Sequence, residues 1–222
     1  MSRLKLGVLA SGTGTNFGAM ARAISDGRVA ADIAILLCNR PDAGVVTLAG
    51  QLGVETEVID HRGFDSREAF DAAVSDRLAA AGVELVVMAG FDRLITAALL
   101  ERFPDRIINI HPALLPAFKG VDAQTQAASY GVRVAGATVH LVDEHVDHGP
   151  IIVQAAVAVD ANDDAETVRR RILAQEHRIY PWAVQLFAEG RVVVEGRKVV
   201  IRGSSAADRS GVLVSPALPD DF

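Results

Sequence analysis

The chain has 222 residues, half of them hydrophobic, and its 28 Asp and Glu against 22 Lys and Arg leave a formal net charge of −6 at pH 7. That length supports a sizeable core. The acidic balance, without a Lys/Arg block or interleaved aromatics, argues against a nucleic-acid surface, and no apolar run is long or pure enough to cross a bilayer.

The N-terminus carries no export-signal cleavage pattern, and the single cysteine, Cys38, excludes an internal disulfide. A cytoplasmic protein with Cys38 in its core is expected. Five short apolar runs, at residues 6–10, 33–38, 54–59, 85–89 and 107–110, read as buried strands. Between them, segments 17–24, 44–52, 66–81 and 96–102 carry helical spacing, the third opened by Asp65 and Glu68 as a capping box. This alternation predicts an α/β fold, a doubly wound and mostly parallel sheet with helices on both faces. Ligands of such sheets gather beyond the carboxyl ends of the strands, which directs attention to residues 11–16, 90–93 and 111–120.

The second half changes character. Segments 137–142 and 151–159 read as an antiparallel pair, an extension of the parallel part. Asp163 and Glu166 predict a helix start, with the helix running to about Arg178 and kinked or ended by Pro181. Segments 191–195 and 198–201 flank Gly196-Arg197 as a tight hairpin, and residues 203–222 read as a poorly ordered tail. We expect one domain over residues 1–202, with a phosphate-binding half to about 105 and a catalytic half over 106–202. Trp182 and Phe187 read as core. His61, His140 and His177 have no evident chemical partner, and the Asn39-Arg40-Pro41-Asp42 stretch reads as a turn.

Two motifs carry chemistry. Ser11-Gly12-Thr13-Gly14-Thr15-Asn16 follows the first strand and opens the first helix, where glycines let backbone N–H groups approach an anion. It lacks the third glycine of a dinucleotide fingerprint and the lysine of a Walker loop, and suits a phosphate monoester. The second motif is Asn109-Ile110-His111-Pro112-Ala113-Leu114-Leu115-Pro116, read with Asp147-His148-Gly149-Pro150. Asn109 and His111, two apart on a strand end, share a face. An amide donor and an imidazole there suit a carbonyl whose oxygen becomes negative, and Asp147 can loop back to the imidazole.

Together these motifs resemble those of the phosphoribosylglycinamide formyltransferase family, from Leu4 to about Arg202. The likeness includes Phe64-Asp65-Ser66-Arg67-Glu68, Met88-Ala89-Gly90-Phe91-Asp92-Arg93 and Gln175-Glu176-His177. The resemblance implies the formyltransferase fold and transfer of a formyl group from 10-formyltetrahydrofolate to glycinamide ribonucleotide, with no metal. It implies that Asn109, His111 and Asp147 are catalytic, and that Gly14, Thr15, Asn16, Leu173, Ala174, Gln175 and Glu176 bind the ribonucleotide. For the folate it implies Arg67, Asp92, Arg93, Leu94, Ile95, Asn109, Asp143, Glu144, His145, Val146 and Asp147. The chain departs from the family at His148, where a second glycine is common, and at Val121-Asp122-Ala123-Gln124, which replaces a stretch that usually contains histidine.

The partners expected are small molecules, with no nucleic acid or membrane, in a monomer or homodimer. The nearest rival activity is hydrolysis of 10-formyltetrahydrofolate, in which water takes the formyl group. A methionyl-tRNA formyltransferase would carry a basic RNA-binding segment, and a nucleotide-sensing module would not need Asn109, His111 and Asp147 together. The close-packed Asp143-Glu144-His145-Val146-Asp147-His148 run could suggest a metal, but formyl transfer requires no Lewis acid.

Overall fold

The computed structural model describes residues 3–204, 213–215, 219 and 221. The chain divides into two compact units, Met1–Asn109 with Val142–Glu144, and Ile110–Leu141 with His145–Phe222.

The first unit alternates strand and helix: β1 (Leu4–Ala10), α1 (Thr15–Ser25), β2 (Ala31–Cys38), α2 (Gly44–Gln51), β3 (Thr56–Val58), α3 (Arg67–Ala80), β4 (Leu85–Met88), α4 (Ala97–Leu100) and the start of β5 (Ile107–His111). Its strands run parallel in the order β3-β2-β1-β4-β5. The chain therefore winds outward in one direction from β1 to β3 and then returns to add β4 on the other side. The strand order reverses between β1 and β4, the place where such folds take ligands. The central strands β1 and β4 are apolar because both faces are covered, whereas β3, at the sheet edge, is not the buried strand expected there: Val58 is exposed and Thr56 and Glu57 are half-buried. Leu6, Val8, Leu85 and Val86 are fully buried.

Helix α3 presents Phe70, Val74 and Leu78 at four-residue spacing into a cluster with Leu9, Ile35, Leu37, Met88, Leu99 and Ile107. Burying each such side chain contributes roughly 1.5–3 kcal/mol. Close approach of α3 depends on Gly7: a Cβ there would lie 2.9 Å from Val83 Cγ2 and nearer still to Leu78. The cap of α3 differs from expectation by one residue. Ser66 is the N-cap, its hydroxyl accepting from Ala69 N–H at 3.1 Å, while Asp65 lies outside the helix.

The second unit contains α5 (Ala123–Tyr130), β6 (Val134–Leu141), β7 (Ile151–Ala158), α6 (Ala165–Ala188), β8 (Val192–Glu195), β9 (Lys198–Ile201) and β10 (Leu213–Ser215). β6 and β7 form the expected antiparallel pair, with Ala137 opposite Ala155. β8 and β9 form the expected hairpin, closing with Glu195 opposite Lys198 around Gly196 at φ 59. α5 was not anticipated. Within the tail, Leu213–Ser215 pairs antiparallel with β7, and residues 205–212, 216–218, 220 and 222 lie outside the described residues.

Helix α6 corrects two expectations. Its cap is Asp164, whose carboxylate accepts from Thr167 N–H at 2.8 Å. Asp163 instead accepts from Asp160 N–H at 2.6 Å and pairs with Arg171. The helix also runs through Pro181 to Ala188. An interior proline costs about 3 kcal/mol, and the burial of Ile179, Tyr180, Trp182, Ala183, Val184, Leu186 and Phe187 around it offsets that cost. The architecture is α/β, a doubly wound parallel sheet with antiparallel strands toward the C-terminus.

Candidate active site

In the first unit the glycine loop leaves β1 through Ser11. Ser11 N–H donates to Gly90 O at 3.0 Å, and its hydroxyl donates to Asn39 Oδ1 at 2.6 Å while accepting from Asp92 N–H at 2.9 Å. Gly14 caps α1 at φ 83, the left-handed region, and a Cβ on it would lie 2.7 Å from Val45 Cγ2. Only glycine fits both the conformation and the space. Gly12 and Thr15 are exposed, and Asn16 is half-buried at the start of α1.

The segment after β4 is tied at both ends. Asp92 accepts from Asn39 Nδ2 at 2.9 Å and from Arg40 Nε at 2.8 Å. At the other end the buried Asp71 carboxylate accepts from Thr96 N–H at 2.5 Å, and its pKa is raised because burial outweighs that bond. Between these ties, Arg93 lies over the Phe70 ring at 5.6 Å, Ile95 packs on the core and Leu94 is 54% exposed. An exposed leucine beside a guanidinium suits a flat heterocycle. Arg67 is exposed at the start of α3.

β5 carries Asn109 and His111 at alternate positions, so both side chains leave one face of the strand. In the second unit, His111 Nδ1 lies 3.2 Å from Asp147 Oδ2 and its Nε2 lies 2.8 Å from Phe118 O. Gly120 N–H donates to Asp147 Oδ2 at 2.8 Å. Asp147 adopts φ 47 and Phe118 φ 49, left-handed conformations that non-glycine residues seldom take. Such strain accumulates where geometry serves function.

His111 is 4% exposed, and its pKa is not raised by the carboxylate beside it. Burial lowers it below 6.5, and the Phe118 carbonyl and Asp147 carboxylate only partly oppose that effect. Both ring nitrogens face acceptors, so only the doubly protonated ring satisfies both, while burial opposes that charge. Asp147 remains a carboxylate. Burial works against its charge, but contacts from His140, Gly120 N–H and His111 hold its pKa below the ordinary range.

His140 was passed over in the sequence because its partner is not adjacent. It is 1% exposed, its Nδ1–H donates to Leu141 O at 2.7 Å, and its Nε2 lies 3.6 Å from Asp147 Oδ1. A His two residues before a Val-Asp loop on a buried strand was the available signal. Of the remaining candidates, Leu173 and Gln175 are half-buried on α6, Ala174 is exposed and Glu176 is buried. Gln175 accepts from Arg178 at 3.0 Å. Val146 is 44% exposed, and the rings of His145 and His148 lie 5.1 Å apart. Asp143 and Glu144 belong to the first unit. Cys38 is buried, as expected.

The formyl transferase family pattern matches residues 4–184. The chain belongs to the formyl transferase family. This formyltransferase is 41% identical over 181 residues to phosphoribosylglycinamide formyltransferase of Bacillus subtilis (strain 168), covering 82% of this chain and 93% of that one. It is 42% identical over 193 residues to the trifunctional purine biosynthetic protein adenosine-3 of Gallus gallus. That match covers 87% of this chain, which spans only 19% of the larger protein. Among solved structures, glycinamide ribonucleotide transformylase 1 from Symbiobacterium toebii superposes with a TM-score of 0.88 at 52% identity, covering 90% of this chain and 94% of that one. Two of these relatives are named as a formyltransferase and a transformylase, which disfavours the hydrolase alternative. No helix among the described residues is long and apolar enough to cross a membrane.

Proposed function

We propose that this formyltransferase moves the formyl group of 10-formyltetrahydrofolate to the amine of 5'-phosphoribosylglycinamide, in the cytoplasm, without a metal. The observation that carries the reading is the buried His111 with Asp147 3.2 Å from it, on a chain that matches enzymes of that name over most of its length.

The amine is a nucleophile once neutral, so no covalent enzyme intermediate is needed. Attack forms a nitrogen–carbon bond and turns the formyl oxygen into an oxyanion. Asn109 donates to that oxyanion; loss of one such donor costs about 2.7–4 kcal/mol. Collapse breaks the bond from carbon to the folate nitrogen. The amine loses one proton and the departing nitrogen gains one. His111, kept neutral near pH 7 by burial, takes the first proton and delivers the second, with substrate replacing the Phe118 carbonyl at Nε2. Asp147 stabilises the imidazolium in between.

Gly14, Thr15 and Asn16 hold the phosphate at the N-terminus of α1, Glu176 accepts from ribose hydroxyls, and the 93–95 and 143–147 segments with Arg67 take the folate. Holding amine and formyl carbon together supplies much of the remaining acceleration. A formyl-transfer assay with the two substrates tests the reading. Turnover is expected from the wild type, and a loss of at least roughly a hundredfold in Asn109→Ala and His111→Ala. Near-wild-type turnover in His111→Ala would sink the mechanism.

A further inference from the structure

The Asn39–Asp42 turn, which the sequence left without a role, meets the start of the glycine loop through one chain of bonds. Asn39 is 1% exposed. Its carbonyl lies 3.1 Å from His61 Nδ1. A carbonyl only accepts, so that nitrogen carries the proton and cannot also take one from Asn39 Nδ2. Asn39 Nδ2 therefore donates to Asp92 Oδ1, and Asn39 Oδ1 accepts from the Ser11 hydroxyl. The orientation of the amide is thus set by three neighbours. Asp92 Oδ2 is held by Arg40, and Asp92 N–H returns to the Ser11 hydroxyl. Ser11 is closed into a ring of bonds with the segments after β2 and β4. The next residue, Gly12, accepts from Val45 N–H at 3.0 Å, and Gly14 accepts from Gly18 N–H at 2.8 Å. Ser11 thus fixes where the chain enters the loop, and the Gly12 and Gly14 carbonyls are tied further along.

We infer that Asn39 and Asp92 are positioning residues for the anion-binding loop 11–16, acting through Ser11, so that Asp92 serves the nucleotide side rather than the folate. This rests on the formyl-transfer reading only in naming the anion as the ribonucleotide phosphate. Asp92 has both carboxylate oxygens engaged by protein donors. Burial opposes its charge, but hydrogen bonds from Asn39 and Arg40 hold it ionised. A carboxylate so engaged is poorly available to a ligand. Its ion pair with Arg40 is partly exposed, which leaves the hydrogen bonds as the more dependable restraint.

The test measures both the loop and the reaction. Inorganic phosphate is titrated against the full chain while the backbone amides of Gly12 to Asn16 are followed by NMR. The variants are Asn39→Ala, Asp92→Ala, Ser11→Ala and Ser11→Thr. Asn39 is buried, so folding is checked by the remaining amide spectrum, and Asp92→Ala serves as the more exposed site if Asn39→Ala does not fold. Phosphate affinity is expected to fall about tenfold in Asp92→Ala and Ser11→Ala, the loss of one or two hydrogen bonds, and to return in Ser11→Thr. KM for glycinamide ribonucleotide should rise about tenfold with kcat and folate KM within about twofold. Loop amides that do not respond to phosphate in the wild type would overturn the inference. So would a rise in folate KM with phosphate affinity unchanged. A wild type that binds phosphate at the loop but transfers no formyl group would reject the proposed reaction and leave the clamp supported.

Discussion

His140 Nε2 lies 3.6 Å from Asp147 Oδ1, while His111 Nδ1 lies 3.2 Å from the other oxygen of the same carboxylate. One half-buried carboxylate thus faces two imidazoles, and Gly120 N–H fixes its orientation. His140 touches the proposed chemistry only through Asp147, so its contribution is that of a positioning residue. His140→Gln is expected to lower kcat about tenfold with little change in KM, less than the roughly hundredfold expected for Asp147→Ala. The double variant should fall short of the product of the two effects, because the residues act as a unit. Multiplicative losses would show that His140 acts elsewhere.

Burial holds the His111 pKa below 6.5, which fixes the direction of two pH effects. The neutral ring is the base, so kcat/KM should rise with pH through an acid limb below 6.5 and be flat above it. Asp147→Asn removes the negative charge that favours the imidazolium, so its residual activity should show that limb further toward acid. For stability, the unfolded chain binds a proton near 6.5 that the folded chain binds only at lower pH. Stability therefore rises with pH through that window and is lost on acidification. His111→Gln should flatten this dependence in thermal melts taken from pH 5 to 7. Asp147, with its pKa below 3.8, adds stability that is lost only as pH falls through its lower folded value. A limb above 6.5 would contradict the assignment.

Gly14 and Gly12 separate strain from ligand contact. A Cβ at Gly14 meets Val45 at a left-handed φ of 83, whereas a Cβ at Gly12 meets nothing within 4 Å. Gly14→Ala should destabilise by about 1–3 kcal/mol and lower Tm by several degrees. Gly12→Ala should melt near the wild type. A loss of ribonucleotide affinity in Gly12→Ala with unchanged Tm would report close backbone approach of the phosphate, and calorimetry of both variants checks this.

Exhaustive chelation should leave turnover unchanged, since the oxyanion is met by Asn109 and the proton moved by His111. Loss of activity with chelator, restored by added zinc, would instead draw the His145 and His148 imidazoles, whose rings lie 5.1 Å apart, into the mechanism.

The alternation of buried strands with helices through β5 was legible because each signal is local. A run such as Ile107-Ile108 or a Phe70–Val74–Leu78 stripe has the period of its element whatever surrounds it. The N-terminal caps of α3 and α6 were legible to within one residue. Asp65 and Ser66, like Asp163 and Asp164, are both competent caps, and the backbone angle that selects Ser66 and Asp164 is not written in composition. α5 escaped because Ala123–Tyr130 is short, nearly without an apolar stripe and follows Asp122 at φ 56.

The residue types of the proposed active site, Asn109, His111 and Asp147, were picked out by their motifs because amide, imidazole and carboxylate carry their chemistry with them. Their protonation could not be read that way. Whether His111 is raised by Asp147 or lowered by burial depends on how much water reaches the ring, and that follows from chain segments distant in sequence. His140 gained its role in the same way, from a loop that returns Asp147 to it. Even the continuation of α6 through Pro181 came from the buried residues around it. Local pattern decides element type through backbone and side-chain sterics, whereas charge state, cap choice and the continuity of a strained helix are balances of a few kcal/mol, tipped by desolvation and packing that exist only after the chain has folded.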